Sequence, residues 1–272
     1  MGPMELDPSI RTYYDRGKEA DRLSGGFPSG PLELARTKEI LERHLPPPPA
    51  DVLDVGGGPG VYAAWLADRG YRVHLIDPVP LHVEQAAAAH GEVTAEVGDA
   101  RALRGADGSA DAVLLLGPMY HLVERDDRIL ALREAARVLR PGGLMFAAAI
   151  SRFAALMDLL VRLDRLHEPE IATMVERSVT TGVFEGPGEA ELFTTSYFHL
   201  PRELAAEVTA AGFAAPDLLQ IEGPGFLVPD FENRWADENR REAMLQAARW
   251  VENEPEMLAA SSHLMAVART PA

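Results

Sequence analysis

The chain has 272 residues, enough to bury a full hydrophobic core and more than a minimal domain needs. Its 42 acidic side chains outnumber 26 basic ones, and a net charge of -16 argues against nucleic acid as a partner, since a phosphate backbone calls for a basic face. The sequence contains no cysteine, which excludes disulfides, thiolate metal sites and a cysteine nucleophile.

Residues 1–30 are polar, carry Asp7, Asp15, Glu19 and Asp21, and do not read as a signal peptide. No stretch reaches the roughly 18 apolar residues of a membrane helix, so a cytoplasmic protein with no membrane partner is expected. The Gly/Pro/Ser cluster from Ser24 to Pro31 makes this segment a short helix and loop outside the main sheet. Tyr13, Tyr14, Glu19 and Arg22 stand out within it, and the two aromatics invite either packing on the core or a role as a lid. Leu32 to Leu45 has apolar residues at helical spacing, and the prolines from Pro46 to Pro49 end it.

Asp51 to Val55 is then a short apolar strand that stops in Gly56-Gly57-Gly58-Pro59-Gly60. Glycine there permits positive φ and removes every Cβ, so a bulky ligand can lie against the turn with backbone N–H groups aimed at it. Asp54, at the strand end, can accept from an ammonium group. The spacing differs from the dinucleotide pattern Gly-x-Gly-x-x-Gly, which would put glycine at Val61, so a nicotinamide cofactor is disfavoured. A helix from Val61, a strand Val73 to Asp77, a helix Leu81 to Ala89, the stretch Gly98-Asp99-Ala100, a strand Ala110 to Leu116 and an amphipathic helix closed by Arg140-Pro141-Gly142-Gly143 follow. The fifth strand is Leu144 to Ile150. This alternation implies a parallel sheet with right-handed crossovers, and in such sheets ligands sit at the carboxyl ends of the strands, where Asp54, Gly56, Asp77, Asp99 and Leu116 all fall.

These ordered motifs resemble the class I S-adenosylmethionine-dependent methyltransferases, and the Leu116-Gly117-Pro118-Met119-Tyr120-His121-Leu122 stretch looks like the group that includes quinone-biosynthesis and bacterial natural-product enzymes. The resemblance implies a Rossmann-like α/β fold, a seven-stranded mostly parallel sheet with an antiparallel last strand, helices on both faces and a helical or loop lid. It implies S-adenosylmethionine as cofactor and S-adenosylhomocysteine as product, held by Tyr14, Asp54, Gly56, Gly57, Gly58, Gly60, Asp77, Pro78, Asp99, Ala100, Leu116 and Gly117. Asp77 would take the ribose hydroxyls, the Asp99 stretch the adenine, and Tyr14 would close the mouth.

A single domain over 1–272 is expected, with an N-terminal helical lid (1–45), a cofactor-binding core (50–150), an insertion forming a substrate lid (151–200) and the end of the sheet (201–272) carrying an inserted helix within 223–260. The insertion reads as a helix Phe153 to Leu166 and a lid loop or hairpin Thr180 to Tyr197; the later addition as a helix Phe231 to Val251. Beyond Ile150 lie 10 of the 18 aromatic residues. In the family such additions set acceptor specificity, so Tyr120, Phe153, Phe184, Tyr197, Phe226 and Trp235 are expected to bind a small organic or peptide-derived acceptor. Transfer to oxygen is favoured, with nitrogen, carbon, or cofactor binding without transfer as alternatives. A protonated acceptor needs a base. His121 and His199 are the candidates, while His44, His82, His90, His167 and His263 are read as structural or solvated. No metal site and a monomer or homodimer are expected.

Overall fold

The structure, a computed structural model, describes Tyr14 and residues 19–89, 93–186 and 192–271. Tyr13, His90 and the tip of the expected lid loop lie outside the described residues. Five parallel strands, β1 (Asp51–Val55), β2 (Arg72–Asp77), β3 (Thr94–Val97), β4 (Ala110–Leu115) and β5 (Leu139–Ser151), lie in the order β3-β2-β1-β4-β5. Two short strands, β6 (Val183–Phe184) and β7 (Ser196–His199), form an antiparallel hairpin. Then β8 (Asp217–Gln220) and β9 (His263–Arg269) complete the sheet, with β9 antiparallel between β5 and β8. This is the expected Rossmann-like sheet, with one reversed strand and a hairpin added.

Period-two alternation explains how strands buried on both sides build two cores. Val113, Leu115, Met145 and Ala147 face one side, where α5 (Arg125–Val138) and α7 (Pro201–Ala210) supply Leu132, Ala135, Leu204 and Val208. Ala112, Leu114, Phe146 and Ala148 face the other, against Ile40 and Leu41 of α1 (Gly30–His44) and Trp65 and Leu66 of α2 (Val61–Ala67). The remaining helices used below are α3 (Pro80–Ala89), α4 (Pro118–His121), α6 (Pro169–Thr181) and α8 (Glu238–Trp250).

β5 outruns β4. Their pairing ends at Leu115↔Ala147, and beyond it Ile150 and Ser151 pair with Phe198 and His199 of β7. Since β9 holds the other edge of β5, the β6–β7 hairpin sits above the end of β4, as a roof over the carboxyl edge. The chain departs from expectation at three places. The helix from Phe153 is only the turn Ala154–Met157 continued by a wider turn Asp158–Arg162, and the main helix is α6, which starts on Pro169 and stops at left-handed Gly182. The expected helix Phe231 to Val251 is broken at Asp237, whose extended backbone and carboxylate, accepting from Arg240 N–H at 3.0 Å, start α8 afresh. The turn Arg140 to Gly143 forms a bulge within β5, between the pairs Ala110↔Leu139 and Ala112↔Leu144.

One buried ion pair joins the two helices of the first core. Arg128 reaches Glu207 through Nε at 2.9 Å and Nη2 at 2.7 Å, donates to the carbonyls of Leu122 and Val123, and lies 3.7 Å from the Tyr197 ring centroid. Burial alone would raise the Glu207 pKa, but His199 and Arg128 bring it down to about 2. Arg128→Ala leaves that carboxylate buried and uncompensated, and is expected to cost about 3–5 kcal/mol in urea unfolding; a loss below about 1 kcal/mol, the value of an exposed pair, would show that the cluster does not clamp the helices.

Candidate active site

The turn after β1 takes its shape from two carboxylates. Gly57 has no room for a side chain, because a Cβ would fall 2.6 Å from Asp54 Oδ2. Gly58 has φ +57°, donates its N–H to Asp77 Oδ2 at 2.9 Å, and faces open space where a Cβ would meet nothing closer than Glu19 Cγ at 3.7 Å. That space is the cradle a ligand would fill. Asp77 also accepts from Val79 N–H at 2.9 Å and lies 3.0 Å from His82 Nδ1, so three contacts fix it while lone pairs remain for a ligand.

Asp54 is in the opposite position. It is fully buried, and neither carboxylate oxygen has a hydrogen-bond partner among the described residues. Burial, and then the neighbouring Asp77, push its pKa up to about 7. A buried carboxylate held this way takes a proton or a cationic ligand.

A cavity of about 530 Å³ opens here, lined by Tyr14, Asp54, Gly56, Gly57, Gly58, Asp77, Pro78, Asp99, Ala100, Leu116, Gly117, Tyr120 and His121. Most of the sequence-predicted site residues thus share one wall. Gly60 does not; it precedes α2, and its backbone packs on Ala86. The Asp99 carboxylate is engaged by Arg101, at 3.0 Å from Nε and 2.7 Å from Nη2.

Tyr14 bonds His121 across the cavity, hydroxyl to Nε2, at 2.6 Å, and its ring stands edge-on to both His82 and His121. Burial, assisted by Arg22, lowers the His121 pKa to about 3. A ring that binds protons so weakly is neutral near pH 7, and its Nε2 is taken by the Tyr14 hydroxyl. His199 is fully buried, lies 3.2 Å from Glu207 and lines neither cavity. Its strand-tip position reaches the Arg128 cluster instead of the ligand space.

A second cavity of about 240 Å³ lies beside the first and shares Tyr14, Glu19, Arg22 and Tyr120 with it. Phe184 and Phe226 line it, joined by Phe27, Phe193 and Phe198, with His263 at the wall. Phe153, Tyr197 and Trp235 do not. Phe153 precedes the turn Ala154–Met157, Tyr197 packs under Arg128, and Trp235 stacks on Phe231 at 5.5 Å. Sequence reading singled out Glu19 and Arg22 without assigning them to the site. It set aside His82 and His263, although His82 lies one helical turn beyond Asp77.

Residues 52–143 match the family model described as a methyltransferase domain. The Ubiquinone biosynthesis O-methyltransferase of Methylocella silvestris is 34% identical over 56% of this chain and 66% of its own length, so the match spans just under two thirds of that relative. The Ubiquinone/menaquinone biosynthesis C-methyltransferase UbiE of Bradyrhizobium diazoefficiens is 30% identical over 79% of this chain and 84% of its own. Among solved structures, the 1,6-didemethyltoxoflavin-N1-methyltransferase of Burkholderia thailandensis, with bound 1,6-didemethyltoxoflavin and S-adenosylhomocysteine, shares the fold at TM-score 0.58 and 18% identity, covering 100% of this chain and 92% of its own.

Asp54 has a consequence for stability that needs no ligand. The folded carboxyl keeps its proton up to about pH 7, while the unfolded one releases it near the ordinary value of 3.8. Stability is therefore lost as pH rises between those values. Asp54→Asn is expected to escape this loss, melting higher than the parent above pH 7, by roughly 2–4 kcal/mol, and close to it below about pH 4. Parallel melting curves across the whole range would show that Asp54 has a counter-charge.

Proposed function

This chain belongs to the class I S-adenosylmethionine-dependent methyltransferases, and on that premise we propose that it transfers a methyl group to a small organic or peptide-derived molecule, with oxygen as the favoured acceptor atom. The observation that carries the reading is the pair of cavities that meet at Tyr14, Glu19, Arg22 and Tyr120, one framed by the glycine turn and its carboxylates, the other by aromatic side chains. The first suits a polar cofactor with a cationic end, and the second an apolar acceptor beside it. The O-methyltransferase named among the relatives supports oxygen. The C-methyltransferase supports carbon as the second reading.

The residues present fit the cofactor. Asp54 is an unpartnered carboxylate suited to an ammonium group, Gly58 leaves the turn open, and Asp77 keeps lone pairs for ribose hydroxyls. When bound, S-adenosylmethionine supplies a methyl already activated on a sulfonium, so transfer is a direct displacement. The protein's part is to align the acceptor and keep water out. Tyr14 and the segment from Glu19 close one side, Tyr120 and His121 another. Tyr120 donates its hydroxyl to Leu116 C=O at 3.1 Å, which fixes the ring where the cavities meet.

Incubation of the protein with methyl-labelled S-adenosylmethionine and a small-molecule extract of the producing cell tests the reading. Label in a base-stable ether would support oxygen transfer, and a complete absence of transferred label would remove the proposal. Binding gives a separate check. Because the ammonium favours ionised Asp54, affinity for S-adenosylhomocysteine should rise as pH is raised through about 7, with proton release seen by calorimetry in buffers of different ionisation enthalpy. Asp54→Asn should flatten both; an equal rise in the mutant would place the titrating group elsewhere.

A further inference from the structure

The second cavity has one polar corner, at Ser262 and His263. His263 opens β9, and because β9 runs against β5 its first residue pairs with Ile150 at the carboxyl end of the sheet. The ring is therefore at the same edge as Asp54, Asp77 and Leu116. Its Nδ1 lies 2.5 Å from Glu222 Oε1. Glu222 is fully buried, and its other oxygen accepts from Ser261 Oγ at 2.9 Å and from His263 N–H at 3.0 Å. An imidazole held by a fixed carboxylate at Nδ1 has its tautomer and orientation set, and presents Nε2 as an acceptor. Among the described residues Nε2 has no hydrogen-bond partner, it is not sealed from solvent, and the residue lines the cavity.

The larger polar side chains on that wall are already occupied. Glu19 is paired with Arg22 at 2.7 Å and Asp158 with Arg162 at 2.5 Å, Tyr120 donates to Leu116, and Tyr14 bonds His121. Ser262 adds one small hydroxyl beside His263, and the rest of the wall is hydrocarbon, including Phe184 stacked on Phe198 at 5.1 Å. A volume of about 240 Å³ is below the roughly 300–1,000 Å³ of drug-sized sites, which limits the occupant to a one- or two-ring molecule or the ring end of a larger one.

We infer that the second cavity takes a ring-bearing hydroxyl compound, that His263 is the base that receives its proton, and that Glu222 is the positioning residue that holds His263; this rests on the methyltransferase reading above. As the oxygen–carbon bond forms and the carbon–sulfur bond breaks, the hydroxyl proton passes to Nε2. The positive charge that leaves the sulfonium reappears on the imidazolium, so charge is conserved. The proton later leaves to water.

The groups that face the ring fix the sign of the pH dependence. Burial alone would lower the His263 pKa, but Glu222 and, 3.9 Å from Nδ1, Glu33 outweigh it, with Arg22 opposing them, and the result stands above the usual 6.5. Glu19 and Asp158 on the same wall are balanced by Arg22 and Arg162. The base form is thus present only above that raised value, and transfer should climb with pH through it.

The test uses the full chain saturated with S-adenosylhomocysteine, with 15N-labelled histidine and 2-naphthol as the probe. Naphthol should shift the Nε2 resonance of His263, and Glu222→Gln should lower the ring's pKa by about a unit or more. With S-adenosylmethionine in place, methylation of 2-naphthol should rise through an inflection above pH 6.5. His263→Asn should fall roughly 100-fold or more, while its affinity for S-adenosylhomocysteine stays within about twofold, since His263 does not line the first cavity. Glu222→Gln should move the inflection to lower pH and reduce kcat more than KM. An Nε2 resonance unmoved by millimolar naphthol, a ring pKa indifferent to Glu222→Gln, or turnover within threefold in His263→Asn would each overturn the inference. Failure of the parent protein to bind S-adenosylhomocysteine would instead strike the methyltransferase reading itself.

Discussion

Two buried carboxylates stand at the ends of adjacent strands, and the fold satisfies only one of them. Asp77 is tied down by the N–H groups of Gly58 and Val79 and by His82, and so shapes the turn. Asp54, beneath that turn, has no such support and is driven toward its protonated form. The glycines follow from this pair, because the chain must pass over Asp54 without a side chain and bring an N–H to Asp77. A cation arriving in the cavity would supply what the protein withholds, which would turn the discomfort of Asp54 in the free protein into selectivity for a positively charged ligand.

The cofactor half was legible because its signals are local. A strand with an acid near its end and a glycine turn occupy ten consecutive residues, 51–60, with a helix directly after them, and parallel topology then places the ends of the parallel strands at one edge. Asp77, Asp99 and Leu116 could be placed by counting strands. The same rule misled for the histidines. His199 ends a strand, yet β7 is a short addition whose last residue packs on Glu207. His263 begins one, and only the reversal of β9 brings a strand start to the carboxyl edge. Its partner Glu222 lies 41 residues earlier, a separation no periodicity can bridge.

The aromatic residues show the same limit. Phe184 and Phe226 reach the second cavity, whereas Tyr197, next to Phe198 on one strand, turns to the opposite side, as alternation in a strand requires. The identity of the lining could be anticipated in kind but not in register, because a hairpin of two-residue pairing gives too short a pattern to fix which face is which. A helix such as α6, with its proline start and glycine stop, was readable in principle from residues 169–182 and was obscured by the mixed composition around it.

Tyr14, Glu19, Arg22 and Tyr120 form a partition common to both chambers, and Arg22 continues through Glu33 to the neighbourhood of His263. A partition shared by two occupants makes their free energies of binding interdependent. Whatever displacement of Arg22 one ligand favours is felt by the other through the same side chain, and linkage requires the effect to be equal in both directions. Were both cavities filled, the N-terminal segment would couple them, each molecule tuning the grip on its neighbour without any change in the sheet that carries them.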